Sequence, residues 1–348
     1  MQTKPRISPS YPIPEDHFDR LPDSLLLIIF NKLEDVKSLG RCFAVSKRFN
    51  SLIPEVHNVL VKFDCVISGT DDDDPNSSIL PRPRNLFSHF FKLMLGAFLK
   101  PFHSLRTNNN KPLFPQLAHH SPAQVLRNFH HVHHLRIVLP TGDLGTDDGV
   151  LLKWKAEFGS TLHSCVILGG TKMEKKPVSD HEPLDDNGSF PESFYTNGGL
   201  KLRVVWTISS LIAASARHYF LQQIIREHPT LKSLVLTDAD GQGTLSMGIE
   251  QLREFREKPL AASAGSSRTQ VPALNMKLRY APYLELPDGM GMQGATLVAI
   301  KPSGELGSGG NSKREAEAFV CGAFDGPFKA AVKALVKRRT YLLEMNSF

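Results

Sequence analysis

The sequence predicts a small N-terminal three-helix bundle followed by a larger domain of the α+β or α/β class. Residues 25–30 are apolar without interruption by charge, and two short amphipathic segments follow them. Further along, β-branched segments typical of strands alternate with helical ones. The 41% hydrophobic and 22% charged fractions are those of a folded, water-soluble chain. We therefore divide the chain into a disordered N-terminus (1–14), the bundle (15–58) and the larger domain (59–348).

The first helix of the bundle is predicted from its N-terminal signals and its apolar run. Pro22 suits the first turn because it lacks the N–H that would be unpaired there. Asp23 and Ser24 place polar side chains beside the free N–H donors of that turn. We expect the helix to end near Leu33. One shared face is expected to contain Leu25, Leu26, Ile29 and Leu33.

Two further short helices are predicted over residues 35–43 and 46–53. The first helix is apolar nearly all round, so it must be covered on most of its sides. A bundle of about 45 residues is small for an independent hydrophobic core. The excess apolar surface is therefore covered either by the rest of the chain or by a partner protein.

Residues 16–60 resemble an F-box in motif and spacing. The resemblance rests on Leu21-Pro22, Leu25-Leu26, Ile29-Phe30, Leu33, Val45-Ser46-Lys47, Phe49 and Leu52. It implies docking onto a Skp-type adaptor protein, and through it onto a cullin scaffold, within an SCF ubiquitin ligase. The residues that it assigns to adaptor binding are Leu21, Pro22, Leu25, Leu26, Ile29, Phe30, Leu33, Val45 and Phe49. The alternative is that these apolar side chains are ordinary core.

The C-terminus carries a second resemblance. The segment GAFDGPFKAAVKALVKRRTYLLEMNSF, residues 322–348, is similar to the end of plant F-box proteins of the auxin up-regulated F-box family. The segment DHFDRLP near the start is similar to their beginning. The resemblance implies a non-catalytic substrate-recognition subunit that presents an unknown protein target for ubiquitination. A role in auxin response is implied by the family's name alone, and participation of a small molecule in target recognition is left open.

Three segments of the larger domain have the pattern of a helix followed by a strand with LxxLxL-like spacing. The predicted strands lie at residues 133–139, 162–168 and 231–237. Recurrence of such a unit resembles a degenerate leucine-rich repeat, a solenoid in which each βα unit covers its neighbour. The spacing between units is irregular, and long polar inserts interrupt them. A non-repeating α/β domain is therefore the alternative.

Other elements of the larger domain follow from local signals. Residues 59–67 are β-branched and predict its first strand, while residues 85–102 predict an apolar, core-facing helix. A β pair is expected around residues 289–294, and a final helix is expected from Pro327. Polar composition predicts flexible inserts near residues 68–84, 103–121, 171–199, 260–272 and 301–316.

The motifs that would indicate catalysis or a cofactor are weak. Gly289, Gly291 and Gly294 fit GxGxxG, but a strand-like segment follows them, whereas a dinucleotide site needs a helix there. Histidines are dense at residues 119–120 and 130–134, without the Cys-His or HExxH pattern that would indicate a metal site. We expect no catalytic residues, no cofactor and no metal, and hence no enzyme activity in the chain itself.

Cysteine spacing and hydropathy predict a nuclear or cytoplasmic location with no membrane partner. Cys42, Cys65, Cys165 and Cys321 are far apart, which favours a reducing compartment over a disulfide framework. The longest strongly apolar region, residues 86–99, is too short to span a membrane. The first residues lack the apolar core of a secretory signal.

The net charge of +6, from 41 basic and 35 acidic residues, leaves a second function class open. Residues 327–348 contain five basic side chains and one acidic one, a local charge of 5 − 1 = +4. The alternative to a ligase subunit is a basic nuclear protein that associates with nucleic acid through Lys337, Arg338 and Arg339. The other basic residues are spread along the chain, which argues against nucleic acid. A nucleotide-dependent enzyme is a third hypothesis, and it rests on the weak glycine motifs alone.

Overall fold

The computed structural model describes residues 17–63, 126–140, 149–175, 194, 198–258, 268–305 and 310–348. The strands of these residues form one ten-stranded mixed sheet, and three short helices precede it in the chain. The helices are α1 (Asp23–Leu33), α2 (Val36–Phe43), α3 (Lys47–Leu52), α4 (Gly199–Phe220), α5 (Gln222–Glu227), α6 (Ile249–Glu257), α7 (Gly310–Cys321) and α8 (Gly326–Val336). Single 3-10 turns cover His17–Arg20 and Ile53–Glu55.

The sheet mixes parallel and antiparallel neighbours. Its strands are β1 (Asn58–Lys62), β2 (His134–Leu139), β3 (Leu151–Phe158), β4 (Leu162–Gly170), β5 (Lys172–Lys175), β6 (Ser233–Asp238), β7 (Gly243–Met247), β8 (Leu274–Glu285), β9 (Met290–Pro302) and β10 (Tyr341–Met345). The spatial order is β1-β2-β6-β7-β3-β4-β9-β8-β10, and β5 pairs with β9 beside this path. The pairs β1/β2, β2/β6 and β3/β7 are parallel, and the other pairs are antiparallel.

The sheet buries both of its faces around β4. Cys165 and Ile167 belong to the larger hydrophobic cluster, which includes α4 and the N-terminal helices. Val166 and Leu168 point the other way, into a smaller cluster beneath α8. This alternation is the two-residue period of a strand that is covered on both sides. Helices α4 and α8 therefore lie on opposite faces of the sheet.

The N-terminal bundle is continuous with the sheet. The larger cluster extends from Leu26 and Phe30 on α1 to Val59 on β1 without a gap. The Asn31 side-chain oxygen accepts hydrogen bonds from the backbone N–H groups of His57 and Asn58, at 2.8 and 3.0 Å. The N–H of Leu60 donates to the carbonyl of Glu34 at 2.7 Å. Bundle and sheet thus share one core, and the bundle covers the β1 edge of the sheet.

Local signals predicted the bundle well. The predicted segments 35–43 and 46–53 become α2 and α3, whose N-caps are Asp35 and Ser46. The Asp35 carboxylate accepts from the N–H of Ser38 at 3.0 Å, and the Ser46 hydroxyl accepts from the N–H of Phe49 at 3.1 Å. Such caps satisfy N–H groups that a helix leaves unpaired, which explains why both helices begin where they do.

The repeat hypothesis is not what the structure shows. Stacked βα units would give a ladder of parallel strands, whereas consecutive strands β3 and β4, β6 and β7, and β8 and β9 form antiparallel pairs. The helix predicted before residue 162 is wrong, because that segment is strand β3. Trp154, Ala156 and Phe158 are buried on alternate positions there, and the residues between them are half-buried. The non-repeating mixed α/β sheet is therefore the correct description.

The remaining predictions are partly confirmed. The glycine-rich β pair is the β8/β9 hairpin, Pro327 lies in the first turn of α8, and the apolar C-terminus forms β10. The predicted insert 171–199 contains β5 and the beginning of α4, and the predicted insert 301–316 contains the end of β9 and the beginning of α7. The helix predicted at 85–102, residues 64–67 of the first strand, and the inserts 68–84 and 103–121 lie outside the described residues.

Candidate functional site

Helix α1 has two apolar faces with opposite surroundings. Leu26 and Phe30 are buried in the core. Leu25, Ile28, Ile29 and Leu33, which we call the outer stripe, are 39–53% exposed. Their spacing of three and four residues places them along one side of the helix. The prediction that Leu26 shares this side is wrong, because Leu26 is buried on the inner face of the helix.

Exposed apolar side chains are concentrated in the N-terminal bundle. Nine large hydrophobic residues are exposed in the described part of the chain. Six of them belong to the bundle: Phe18, Leu25, Ile28, Ile29, Leu33 and Val45. Scattered exposed apolar residues are normal on a protein surface, but a concentration of this kind marks an interaction site.

The interior of the bundle supports the outer stripe. Phe49 from α3 packs edge-on against Phe30, with ring centroids 5.1 Å apart, and against Phe18 at 5.8 Å. Leu39 and Ile53 complete this interior and are also buried. Because the inner face of α1 is already filled by these contacts, the outer stripe has no remaining place inside the bundle.

Arg48 fixes the beginning of α1. Its guanidinium donates to the Asp23 carboxylate at 2.6 and 2.8 Å, to the carbonyl of Phe18 at 3.0 Å, and to the carbonyl of Leu21. This fork of charge-assisted bonds ties α3 to the first turn of α1 and to the preceding 3-10 turn. Arg48 was not among the predicted site residues. The available signal was an acidic residue in the first turn of an apolar helix, with an arginine next to the buried Phe49.

Comparison with known proteins identifies the family. An F-box-like family model matches residues 18–57. F-box protein At4g18380 of Arabidopsis thaliana is 55% identical over 99% of this chain and 98% of its own length. The chain is a plant F-box protein. F-box protein AUF1 of Arabidopsis thaliana is 36% identical over 96% of this chain and 100% of its own length. No solved structure matches the chain.

The F-box does not present all nine predicted adaptor-binding residues to solvent. Leu25, Ile29, Leu33, Val45 and Pro22 are exposed, and Leu21 is half-buried against the core. The other three, Leu26, Phe30 and Phe49, are buried. In this conformation these three side chains are at most 8% exposed, and they support the exposed residues from the interior of the bundle. Ile28 is the exposed member of the outer stripe that the prediction left out.

Elsewhere in this F-box protein, a Ser-Glu-His group resembles a catalytic constellation but lacks its geometry. The Ser160 hydroxyl donates to one oxygen of Glu254 at 2.7 Å, and the His163 Nε2 donates to the other at 2.5 Å. Both bonds end on the carboxylate, so His163 does not contact the serine as the base of a Ser-His pair would, and the serine is bonded only to a weakly basic carboxylate. Burial raises the pKa of Glu254, but hydrogen bonds from Ser160, Lys258 and His163 outweigh it and lower the pKa to about 2. The group clamps α6 onto the β3–β4 turn.

A buried ion pair joins α4 to the sheet of the F-box protein. The Arg217 guanidinium donates to Asp238 at 2.5 Å and to the carbonyl of Gly243 at 3.1 Å, and lies 4.7 Å from the ring centre of Trp154. The other Asp238 oxygen accepts from the N–H of Gly243 at 2.7 Å. Both charged side chains are at most 1% exposed. Because these contacts engage both charges within the chain, we interpret the pair as structural.

The weak cofactor motifs receive a structural explanation. Gly289 and Gly294 have φ angles of +69° and +58°, and they belong to the β8/β9 hairpin. A Cβ on Gly291 would lie 2.2 Å from the Tyr283 hydroxyl, so close packing of the hairpin requires glycine there. Among the described residues, no three His, Cys, Asp or Glu side chains are placed to hold a metal ion. None of the helices in the described ranges has the length and apolarity needed to cross a bilayer.

Proposed function

We propose that this F-box protein is the substrate-recognition subunit of an SCF-type ubiquitin ligase and docks on a Skp-type adaptor through the outer stripe of α1. The observation that carries the proposal is the exposure of Leu25, Ile28, Ile29 and Leu33 on a helix whose inner face is already filled. The six exposed apolar residues of the bundle are the surface that an adaptor would cover. The family relationship supports this choice of partner.

Magnitudes set a minimum size for the interface. Complete burial of one large aliphatic side chain contributes roughly 1.5–3 kcal/mol. The outer stripe is already about half covered, so its four residues contribute roughly 3–6 kcal/mol together. Association costs an estimated 4–15 kcal/mol. The adaptor must therefore also bury neighbouring apolar residues, and Phe18 and Val45 are the exposed ones in the bundle.

The role of the chain in ubiquitination is positional. The F-box holds the adaptor, the cullin is recruited through it, and the ten-stranded domain holds the target. A target lysine held near the charged E2 enzyme reacts at a raised effective concentration, so the chain itself supplies no catalytic residue. The shared core of bundle and sheet supports this role, because it keeps the target at a constant position relative to the adaptor.

The cellular setting belongs to the same proposal. The names AUF1 and AUF2 denote auxin up-regulated F-box relatives, each 36% identical to this chain, and they suggest a role in auxin response. We infer a nuclear or cytoplasmic location from the widely spaced cysteines, as expected for a reducing compartment.

The test is assembly of the full-length chain with purified Skp-type adaptor and cullin. We expect the chain to recover cullin in a pull-down only when adaptor is present. The double variant Ile28→Asp, Ile29→Asp should lose both proteins, because two carboxylates cannot be buried in an apolar interface. Ile249→Asp is the matched control, since Ile249 is 60% exposed on α6. Recovery of both proteins by the double variant, or their loss with Ile249→Asp, would contradict the proposal.

A further inference from the structure

The two ends of the sheet differ in how their edges are covered. At the β1 end, the F-box covers the edge, with a hydrogen bond from Leu60 to Glu34 and a bridge between Leu60 and Asp35. At the other end, β10 pairs with β8 and with no other strand among the described residues. An edge strand presents backbone N–H and C=O groups that can pair with another chain.

We propose that the outer edge of β10 binds an extended, acidic segment of a target protein by β-strand addition. This inference rests on the proposed function, because it assigns a place and a chemical class to the target that the subunit recognises. Strand addition gives affinity through main-chain hydrogen bonds and specificity through pockets for alternate side chains. Both components have a counterpart at this edge.

The side-chain component is an apolar groove between β10 and α4. Val204 and Ile208 line it from the helix, and Leu343 and Met345 line it from the strand. Val204 is 44% exposed, so the groove is open to a ligand at this point. Successive side chains of an added strand point to opposite faces of the sheet. Every second residue of the target segment would therefore lie over the groove, and we expect those residues to be apolar.

The opposite face of β10 also carries an exposed apolar side chain. Leu342 is 76% exposed, the highest value among the exposed large hydrophobic residues of the described chain. Natural edge strands are usually protected by charged side chains, proline or a bulge. Of these devices, β10 has only Glu344, and its register with β8 is regular from Tyr341 to Met345. The edge therefore lacks most of the features that prevent strand addition.

Charge selects an acidic segment. Lys337, Arg338 and Arg339 lie just before β10, whose one charged residue is Glu344, so this stretch has a local charge of 3 − 1 = +2. Lys201, exposed in the first turn of α4, adds a further positive charge beside the groove. A segment in which acidic residues alternate with apolar ones matches both the groove and this charge.

The test uses the full-length chain and synthetic nine-residue peptides in which apolar residues alternate with glutamate. Binding is measured by fluorescence polarisation. We expect these peptides to bind at least tenfold more tightly than peptides with lysine in place of glutamate, and the difference should shrink as salt is added. Equal binding of the two sets would overturn the acidic preference.

N-methylated peptides test the main-chain component. In an extended strand, the N–H groups of consecutive residues face opposite edges, so those of every second residue face the same edge. Methylation of the residues that face one edge should weaken binding at least tenfold, and methylation of the alternate set should change it less than threefold. Equal effects of the two sets would overturn strand addition. Size-exclusion chromatography shows whether β10 instead pairs with a second copy of the chain, and a dimer that persists at saturating peptide concentration would also contradict the proposal.

Val204→Asp tests the groove, with Ile249→Asp as a matched control at another exposed β-branched residue of a helix. We expect the first variant to weaken peptide binding at least fivefold and the second to leave it unchanged. Adaptor binding is measured on the same preparations. If neither the original chain nor any variant binds the peptides while the adaptor still binds, this inference is wrong and the proposed function is unaffected. If the peptides bind but the adaptor does not, the proposed adaptor docking is wrong and strand addition at β10 still stands.

Discussion

The F-box and the sheet domain place their side chains in opposite ways. The F-box exposes aliphatic residues such as Leu25 and Ile28 to water, while the sheet domain buries charged residues such as Arg217 and Asp238. The buried charges are satisfied within the chain, since Arg217 contacts Asp238, Gly243 and Trp154. The outer stripe has no such internal partner in the described chain. The difference indicates that the buried charges of the sheet domain need no partner outside the chain, whereas the F-box leaves an apolar surface for the proposed adaptor.

Arg203 is another buried charged side chain whose charge is stabilised by contacts within the sheet domain. It is 5% exposed, and its guanidinium carbon lies 5.0–5.5 Å from the ring centres of Phe194, Trp206 and Tyr280. Its N–H groups donate to Thr296 and to two glycine carbonyls at 2.8–3.2 Å. Aromatic faces and carbonyl oxygens together stabilise a buried cation. This cluster fastens the first turns of α4 to β9.

The largest effect on stability is expected from breaking the ion pair between Arg217 and Asp238. Asp238→Ala leaves the buried Arg217 charge without its carboxylate, which should lower the free energy of unfolding by about 3–5 kcal/mol. Urea denaturation followed by circular dichroism measures it. Glu250→Ala, which removes the exposed pair with Arg253, is the control and should cost less than about 1 kcal/mol. Similar losses in the two variants would mean that burial does not distinguish these pairs.

A smaller effect on stability is expected from lowering the pH. His218 is buried against Phe158, where its Nε2–H donates to the carbonyl of Gly159 at 2.9 Å and Nδ1 accepts from Thr269 at 2.8 Å. Burial lowers the pKa of His218 to about 4, although Gly159 and Glu254 act in the opposite direction and His163 reinforces the lowering. Because the unfolded state then binds the proton first, stability is fully present above pH 6.5 and is lost as pH falls toward 4.

The measurement is the free energy of unfolding at two pH values. It should be about 2 kcal/mol lower at pH 5 than at pH 7 from His218 alone. Burial also lowers the pKa values of His133 and His228, so both add to the loss in the same direction. His218→Gln should therefore reduce the dependence on pH without removing it. A stability that does not change between pH 7 and pH 5 would contradict the buried, neutral histidine.

Elements with local signals could be predicted from the sequence, and those decided by distant contacts could not. The amphipathic segments after α1 predicted α2 and α3, and glycines predicted the β8/β9 hairpin. Strand β3 was predicted as a helix because Leu151, Trp154 and Phe158 also fit helical spacing. Pairing on both sides with β4 and β7 determines its conformation. A short apolar run alone does not distinguish a helix from a buried strand.

The exposed face of α1 was predicted in part for a similar reason. Periodicity shows that α1 is apolar on two sides, but it does not show which side the rest of the chain covers. Phe30 and Ile29 are adjacent and similar in hydrophobicity, yet one is buried and the other is in the outer stripe. The ion pair between Arg217 and Asp238 has no local signal, because strand order brings the two residues together.

The most direct measurement is the affinity of the full-length chain for a purified Skp-type adaptor, determined by calorimetric titration. The triple variant Leu25→Ala, Ile29→Ala, Leu33→Ala truncates the outer stripe and leaves the inner face of α1 intact. We predict binding at least 100-fold weaker, since each truncated contact costs about 1 kcal/mol or more. The free energy of unfolding should change by less than about 1 kcal/mol, because exposed side chains contribute little to stability. An affinity within threefold of the original chain, in a folded variant, would contradict the assignment of the outer stripe as the adaptor-binding surface.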